Sequence, residues 1–289
     1  MKKLLLSLVF SLMLASTTFA ATTTTTNWDS EASLKRVNTI GSKLLKANGL
    51  PTTVTFKVSD DETINAYANL NKEVYVYRGL LQYVETDDEL AGVIGHELSH
   101  IALNHIIKGA YKQTALNMAM SMTGWASSKN EVVAQTANTA QELTSLKFSR
   151  NDEYEADMTG ADLMVNAGYN PLGEISVLNK ICSNTVDFFS DHPSGDKRVV
   201  ALYNYIMYNY PKYYNTAYPT ASYADFRNYM APIVAQRKAS EKLTKKYEKE
   251  QAKLKKKHVK NLQKMKKGTW GWDASYAILT TLTSDSSGK

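Results

Sequence analysis

The stretch GHELSHIALNH, residues 95–105, decides the fold and holds three of the chain's five histidines. His96 and His100 are four residues apart, so on a helix their rings project from one face with the geometry that binds a zinc ion. Glu97 lies beside them and can take a proton from a water that the metal activates. Apolar residues flank the motif at helical spacing, namely Leu90, Val93, Ile94, Leu98 and Ile101. The pattern therefore predicts a buried helix that carries two metal ligands and a base.

The third histidine of the stretch, His105, follows His96 by nine residues. On a continuous helix this spacing turns its side chain by half a circle, to the side opposite the metal. The extended pattern that recruits a third histidine needs glycine and histidine at two positions that Leu103 and Ile106 occupy here. We therefore expect His105 to pack or hydrogen-bond on the far side of the helix, and the third ligand to come from elsewhere.

The candidate third ligand lies in SRNDEYEAD, residues 149–157. Glu153 and Asp157 are four residues apart, on one face of a predicted helix, and Ala156 and Gly160 are small enough for close helix packing. We predict Glu153 as a metal ligand and Asp157 as an acceptor that orients a ligating imidazole. The alternative is that the acidic residues at this helix start only stabilise the helix dipole.

The surrounding sequence predicts an α+β fold that is mainly helical. Apolar spacing predicts a helix over residues 29–48, and TVTFKV, TINAYA and EVYVY are three short strand-like runs separated by turn residues. We predict a small three-stranded antiparallel sheet beside the active-site helix, which starts at a capping box of Thr86 and Glu89. Further helices are expected over residues 171–183 and 197–210, and a basic one from Pro232 to Lys267.

These motifs together resemble a known family. Residues 53–105, followed by SRNDEYEAD and DHPSGDKR in the same order, are similar to the HtpX-like, CAAX-prenyl-protease-related zinc endopeptidases, specifically their soluble exported bacterial (BepA/LoiP-like) branch. The similarity covers roughly residues 29–210. It implies a zincin-like metallopeptidase fold and one zinc ion per chain, bound by His96, His100 and Glu153, with Glu97 as the catalytic base.

The resemblance also assigns two further segments. His192, in the His-Pro turn of DHPSGDKR, is expected either to stabilise an oxyanion or to be a fourth zinc ligand of an idle enzyme, and Arg198 to anchor that loop through a carboxylate. The family's cleft-lining strand, to which a substrate peptide would add as an extra strand, corresponds to Asn65, Ala66, Tyr67 and Ala68. The glycine pair that usually follows this strand is replaced here by residues 69–73.

The termini predict export and a separate basic segment. Lys2 and Lys3, an apolar run over residues 4–14 and a small-residue end at Ala20 are typical of a cleaved signal peptide over residues 1–20, with an uncleaved membrane anchor as the alternative. Cys182 is the only cysteine, so the chain has no internal disulfide and no lipid-bearing cysteine after the signal. A periplasmic or secreted protein is expected.

Basic charge is confined to one part of the chain. Residues 237–267 contain fourteen Lys or Arg against three Glu, so the rest carries a net charge of about −5 although the total is +6. We predict a linker over residues 21–28, a zinc metallopeptidase domain over 29–231, a basic helical extension over 232–268 and a tail over 269–289. The extension is either plainly solvated or in peripheral contact with a membrane or the cell wall, and export excludes nucleic acid as a partner.

The predicted function is zinc-dependent hydrolysis of peptide bonds in exported or envelope proteins, as quality control of misfolded or misassembled proteins. Its partners are then protein or peptide substrates. The alternative, from another functional class, is a chaperone or assembly factor that binds envelope proteins with little or no proteolysis.

Overall fold

The computed structural model describes residues 29–110, 112, 148–183 and 195–266. The predicted signal peptide, the linker, His192 and the C-terminal tail lie outside the described residues. Helices form most of the described chain, which confirms the prediction of a mainly helical α+β fold. In chain order the elements are α1 (Ser30–Ala47), β1 (Thr55–Ser59), β2 (Ala66–Ala68), β3 (Glu73–Tyr77), α2 (Arg78–Tyr83), α3 (Asp87–Ala102), α4 (Arg150–Asn166), α5 (Leu172–Ser183), α6 (Asp196–Asn209), a 3-10 turn (Pro211–Tyr213), α7 (Ala221–Lys238) and α8 (Glu241–Lys266).

The sheet is mixed, so the prediction of an antiparallel sheet is wrong. Its order is β1-β3-β2, with β3 parallel to β1 and antiparallel to β2. Residues 60–65 carry the chain across the end of the sheet, and β3 then enters between the first two strands. Alternation of apolar residues identifies a strand but does not encode its neighbour or direction, so the sequence alone could not distinguish this topology from a simple meander.

Helix α3 is the centre of the fold and is buried from Glu89 to Ile101. Its start is capped as predicted, since the Thr86 hydroxyl accepts from the Glu89 amide at 3.1 Å. It packs mainly against α4 and α5, with α1 and the sheet on its other sides. A helix covered on all sides needs an apolar surface throughout, so the polar residues of the motif require partners inside the core.

Close helix packing around α3 depends on glycine. A Cβ on Gly92 would lie 2.8 Å from the Cα of Glu174 in α5, and one on Gly95 would lie 3.3 Å from the carbonyl oxygen of Gly160 in α4. The predicted role of Gly160 in close packing is therefore confirmed. At these two contacts the helix backbones touch directly, which holds α3, α4 and α5 at short separation.

The basic segment is helical and packs against the domain. Its start differs from the prediction, because Pro232 lies inside α7 and a new helix, α8, begins at Glu241. Leu262 and His258 on α8 are buried, and the His258 Nε2 lies 3.1 Å from the Oδ2 of Asp162 in α4. No helix of the described residues is long and apolar enough to cross a membrane.

Candidate metal centre

Helices α3 and α4 bring the three predicted metal ligands together. The Nε2 atoms of His96 and His100 are 3.0 Å apart, and the Glu153 carboxylate oxygens lie 3.6 Å from the first and 3.4 Å from the second. All three side chains are buried. One turn of helix separates the two histidines on α3, and the packing of α4 against α3 supplies the carboxylate.

This donor set suits a divalent cation. The His96 Nδ1 faces an Asp157 carboxylate oxygen at 2.9 Å, so it carries the ring proton and leaves a lone pair on Nε2. That lone pair and the Glu153 carboxylate are both acceptors and converge on one buried position, which suits a cation. Two imidazole nitrogens and one carboxylate are a ligand set that zinc takes in catalytic sites. The three residues could therefore hold a metal ion.

Arg198 on α6 neutralises the acidic side of the centre. Its Nε and Nη2 donate to the two oxygens of Asp157 at 2.9 and 2.6 Å, and its Nη1 lies 2.7 Å from Glu153 Oε2. Burial alone would raise the pKa of Asp157, but the ion pair with Arg198 and the hydrogen bond from His96 bring that pKa below its ordinary value. Asp157 thus stays ionised, with one oxygen facing the His96 Nδ1.

Glu97 lies on α3 between the two histidines and is 1% exposed. Burial, together with the nearby negative charge of Glu153, raises its pKa to about 8, while His96 acts in the opposite direction. This pKa is that of the metal-free site, and a cation bound by His96, His100 and Glu153 would lower it, so that the carboxylate could accept a proton.

His105 does not face away from the centre, so that expectation is wrong. Helix α3 ends at Ala102, and Asn104 takes a left-handed conformation with φ of 56°. This turn brings the His105 Nδ1 back to within 3.1 Å of the His100 Nδ1. Burial lowers the pKa of His105 to about 4 in spite of the neighbouring Asp152, which keeps the ring neutral. The predicted half-circle rotation holds only if the helix continues to His105. The backbone reverses at Asn104 instead.

The predicted substrate strand is β2, at an edge of the described sheet. Asn65 accepts from the Tyr77 amide and the Asn69 amide donates to Glu73, so the backbone groups of alternate residues in β2 bond to β3. Those of Ala66 and Ala68 consequently point away from β3, where the Ala66 amide donates to the Asn65 side-chain oxygen at 2.8 Å and the Ala68 backbone hydrogen-bonds to Glu97.

The turn after β2 is closed without the family's glycine pair. The Asn69 side-chain oxygen accepts from the amides of Asn71 and Glu73, and Lys72 adopts the left-handed conformation. An asparagine side chain that bonds to the backbone two residues on can replace a backbone turn. The hairpin between β2 and β3 is therefore intact in spite of the departure from the family pattern.

Two buried polar groups were missed by the sequence reasoning. Glu174 on α5 is 3% exposed, and burial raises its pKa well above the ordinary value. It lies near His96 and Asp157, but Arg198 already pairs with Asp157, which disfavours a second cation there. The other is a cluster around Asp162, which accepts hydrogen bonds from two tyrosine hydroxyls and faces His258. A glutamate within the mainly apolar first half of α5 was the available signal for the first.

Comparison with known proteins identifies the family. The model of "Peptidase family M48" matches residues 31–206. The chain is 34% identical over 173 residues to "Metalloprotease LoiP" of Escherichia coli (strain K12), which covers 57% of this chain and 67% of that protein. It is 34% identical over 158 residues to "Metalloprotease YcaL" of the same organism, covering 52% of this chain and 61% of that protein. It is 25% identical over 207 residues to "Beta-barrel assembly-enhancing protease" of Yersinia pestis, covering 66% of this chain and 41% of that protein.

The matched segment contains every described residue of the candidate metal centre. It also contains the described sheet and the helices that surround α3. A zincin-like metallopeptidase fold fits this family and the mainly helical architecture with its small sheet. The chain therefore belongs to peptidase family M48 and is a metalloendopeptidase.

Proposed function

We propose that this protein is a zinc-dependent endopeptidase that cleaves exported or envelope proteins. The observation that carries the proposal is the convergence of two imidazole nitrogens and the Glu153 carboxylate on one buried position, with Glu97 beside it. Two neutral nitrogen ligands and one anionic oxygen ligand leave a coordination position open for water or substrate, as catalytic zinc requires.

The roles of the residues follow from their positions. His96, His100 and Glu153 would hold one zinc ion, which supplies a water of lowered pKa and polarises the scissile carbonyl. Glu97 accepts the proton of the attacking water and passes it to the leaving amine. Asp157 keeps the His96 proton on Nδ1 and so keeps Nε2 available, while Arg198 holds Asp157 ionised.

The edge of β2 is the proposed docking position for a substrate. Because the backbone groups of Ala66 and Ala68 point away from β3, an extended peptide can add to this edge as a further strand once it displaces the Asn65 side-chain oxygen from the Ala66 amide. Helix α3 contacts β2 directly, so a peptide bound there runs close to Glu97. Recognition through the backbone favours unfolded or extended segments over folded proteins. His192 belongs to this proposal as an oxyanion stabiliser or a fourth ligand.

Quality control in the envelope is the proposed biological role. One similar protein is named as a protease that enhances β-barrel assembly, and others are named metalloproteases. A signal peptide over residues 1–20 would bring this chain to the periplasm. The alternative is an assembly factor that binds envelope proteins and cleaves little.

The test compares Glu97→Gln with Glu248→Gln, an exposed position on α8. The first variant should retain its zinc content and its unfolding transition but lose cleavage of an unfolded envelope protein, because the amide cannot accept the proton. The second should cleave normally. Undiminished proteolysis by Glu97→Gln would end the assignment, and rescue of a deletion strain by that inactive variant would favour the assembly factor.

Helix α8 supports a second, peripheral role. Its buried residues face the domain, so most of its lysines are exposed. We propose that this surface contacts an anionic membrane or cell-wall polymer. Reversal of three exposed charges, Lys249, Lys253 and Lys256 to Glu, should abolish salt-sensitive sedimentation with anionic vesicles or isolated wall without reducing cleavage. Sedimentation unchanged by salt or by these substitutions would refute it.

A further inference from the structure

His105 connects the proposed ligand His100 to the start of α4. Its side chain is buried, and its Nδ1 lies 3.1 Å from the His100 Nδ1, with the two rings inclined at 68°. On the other side of the ring, Nε2 lies 3.5 Å from Asp152 Oδ1 and 4.0 Å from Glu155 Oε2. The imidazole therefore stands between a metal ligand and two carboxylates of α4.

The position of one proton determines the others in this chain of contacts. A neutral imidazole carries a single ring proton, so His100 can offer Nε2 to a metal only when its proton is on Nδ1. The atom that receives this proton is His105 Nδ1. His105 must then carry its own proton on Nε2, which is the atom that faces Asp152 and Glu155. At 3.5 and 4.0 Å these contacts are electrostatic and not hydrogen bonds, and the negative charge of the carboxylates favours a proton on Nε2.

The opposite arrangement would disable the ligand. If His105 carried its proton on Nδ1, it would donate to His100, whose proton would move to Nε2 and occupy the position that the metal needs. The Asp152 and Glu155 carboxylates would then face a bare nitrogen lone pair, which is repulsive. The backbone reversal at Asn104 is what holds His105 in this place.

The two histidine ligands thus have different partners. His96 donates directly to the ionised carboxylate of Asp157 at 2.9 Å, whereas His100 meets a second imidazole. Groups that accept from the far ring nitrogen of a ligating histidine fix its tautomer and its orientation. We propose that His105 is a positioning residue that fixes the tautomer and ring orientation of His100, with Asp152 and Glu155 fixing the tautomer of His105.

The inference rests on the proposed function, and its test measures zinc affinity, not proteolysis. His105→Leu keeps the volume but removes the acceptor, whereas His105→Asn offers an amide oxygen close to the place of Nδ1. Zinc competition with a chromogenic chelator should show an affinity about 10- to 100-fold lower for the leucine variant and largely restored for the asparagine variant. Phe148→Leu is the matched control, because its ring stacks on His100 at 4.0 Å without this acceptor.

A spectroscopic readout separates positioning from packing. In zinc-loaded protein labelled with nitrogen-15 at histidine, the His100 Nδ1 proton should be protected from exchange, and His105→Leu should remove that protection. Equal losses of affinity in the leucine and asparagine variants, or in Phe148→Leu and His105→Leu, would overturn the proposal. So would wild-type affinity in His105→Leu. Cleavage by Glu97→Gln would refute the proposed function. A lower zinc affinity of His105→Leu would still support the positioning role in that case.

Discussion

Replacement of Arg198 by Met should lower the unfolding free energy of the metal-free protein by about 3–5 kcal/mol. Arg198 is 5% exposed and is the cation that contacts both Asp157 and Glu153. Methionine fills a similar volume but leaves the two buried carboxylates without that charge. The magnitude is that of breaking a buried ion pair by removing one partner, which exceeds the value of any single hydrogen bond lost.

The measurement is urea denaturation at neutral pH in excess chelator, so that bound metal does not replace the missing charge. Arg36→Met is the control, since Arg36 forms one ion pair with Asp87 at 2.8 Å and the two side chains are 35% and 65% exposed. An exposed pair contributes at most about 1 kcal/mol, so this variant should unfold nearly as the wild type does.

The pH dependence provides a second criterion. Arg198 helps to keep the pKa of Asp157 below its ordinary value, so the ion pair stabilises the fold above the unfolded-state pKa of about 3.9. This contribution is lost as the pH falls through the lower pKa of the folded state. The difference in unfolding free energy between wild type and Arg198→Met should therefore be largest near neutral pH and should become smaller below about pH 4. The prediction is wrong if Arg198→Met loses no more unfolding free energy than Arg36→Met. It is also wrong if the difference in unfolding free energy between wild type and Arg198→Met grows in acid.

Three further substitutions or modifications test the fold. Gly92→Ala should lower the unfolding free energy by about 1–3 kcal/mol, because its Cβ would lie 2.8 Å from backbone of Glu174; a neutral result in urea would mean that α3 and α5 can separate. His258→Ala should speed amide exchange throughout α8, because the contact with Asp162 is lost; exchange confined to the helix ends would contradict this. Burial raises the pKa of Cys182, so iodoacetamide should react more slowly with native than with urea-unfolded protein near neutral pH; equal rates would count against it.

The parts of the site that the sequence could predict are those encoded by local spacing. His96 and His100 are one helical turn apart, and Glu153 and Asp157 are also one turn apart, so each pair lies on one face whatever the tertiary structure. That the two pairs meet follows from the small residues on their helices, as Gly95 and Gly160 confirm by close approach. The resemblance predicted only that Arg198 anchors its loop through a carboxylate, and the structure shows Asp157 and Glu153 as its partners.

The parts that failed depend on non-local events. All three strands have the same alternating pattern, so the sequence does not specify which of them are neighbours in the order β1-β3-β2. His105 lies beside His100 because a single residue, Asn104, has a left-handed conformation. The helical periodicity from which its position was predicted ends there. His258 lies among lysines, and it becomes a core residue only because α8 packs against α6 and makes side-chain contacts with α4.

The metal centre and the core of this protein are one interface. A Cβ on Gly160 would lie 3.1 Å from the His96 amide nitrogen, so the backbones of α3 and α4 are in contact at the first ligand itself. Because α3 carries two ligands and α4 the third, the distance between these helices sets the distances between the ligand atoms. A change that separates the helices must therefore weaken metal binding as well as packing. In turn, a metal ion that binds only when α3 and α4 are packed together stabilises the whole fold by RT ln(1 + [metal]/Kd).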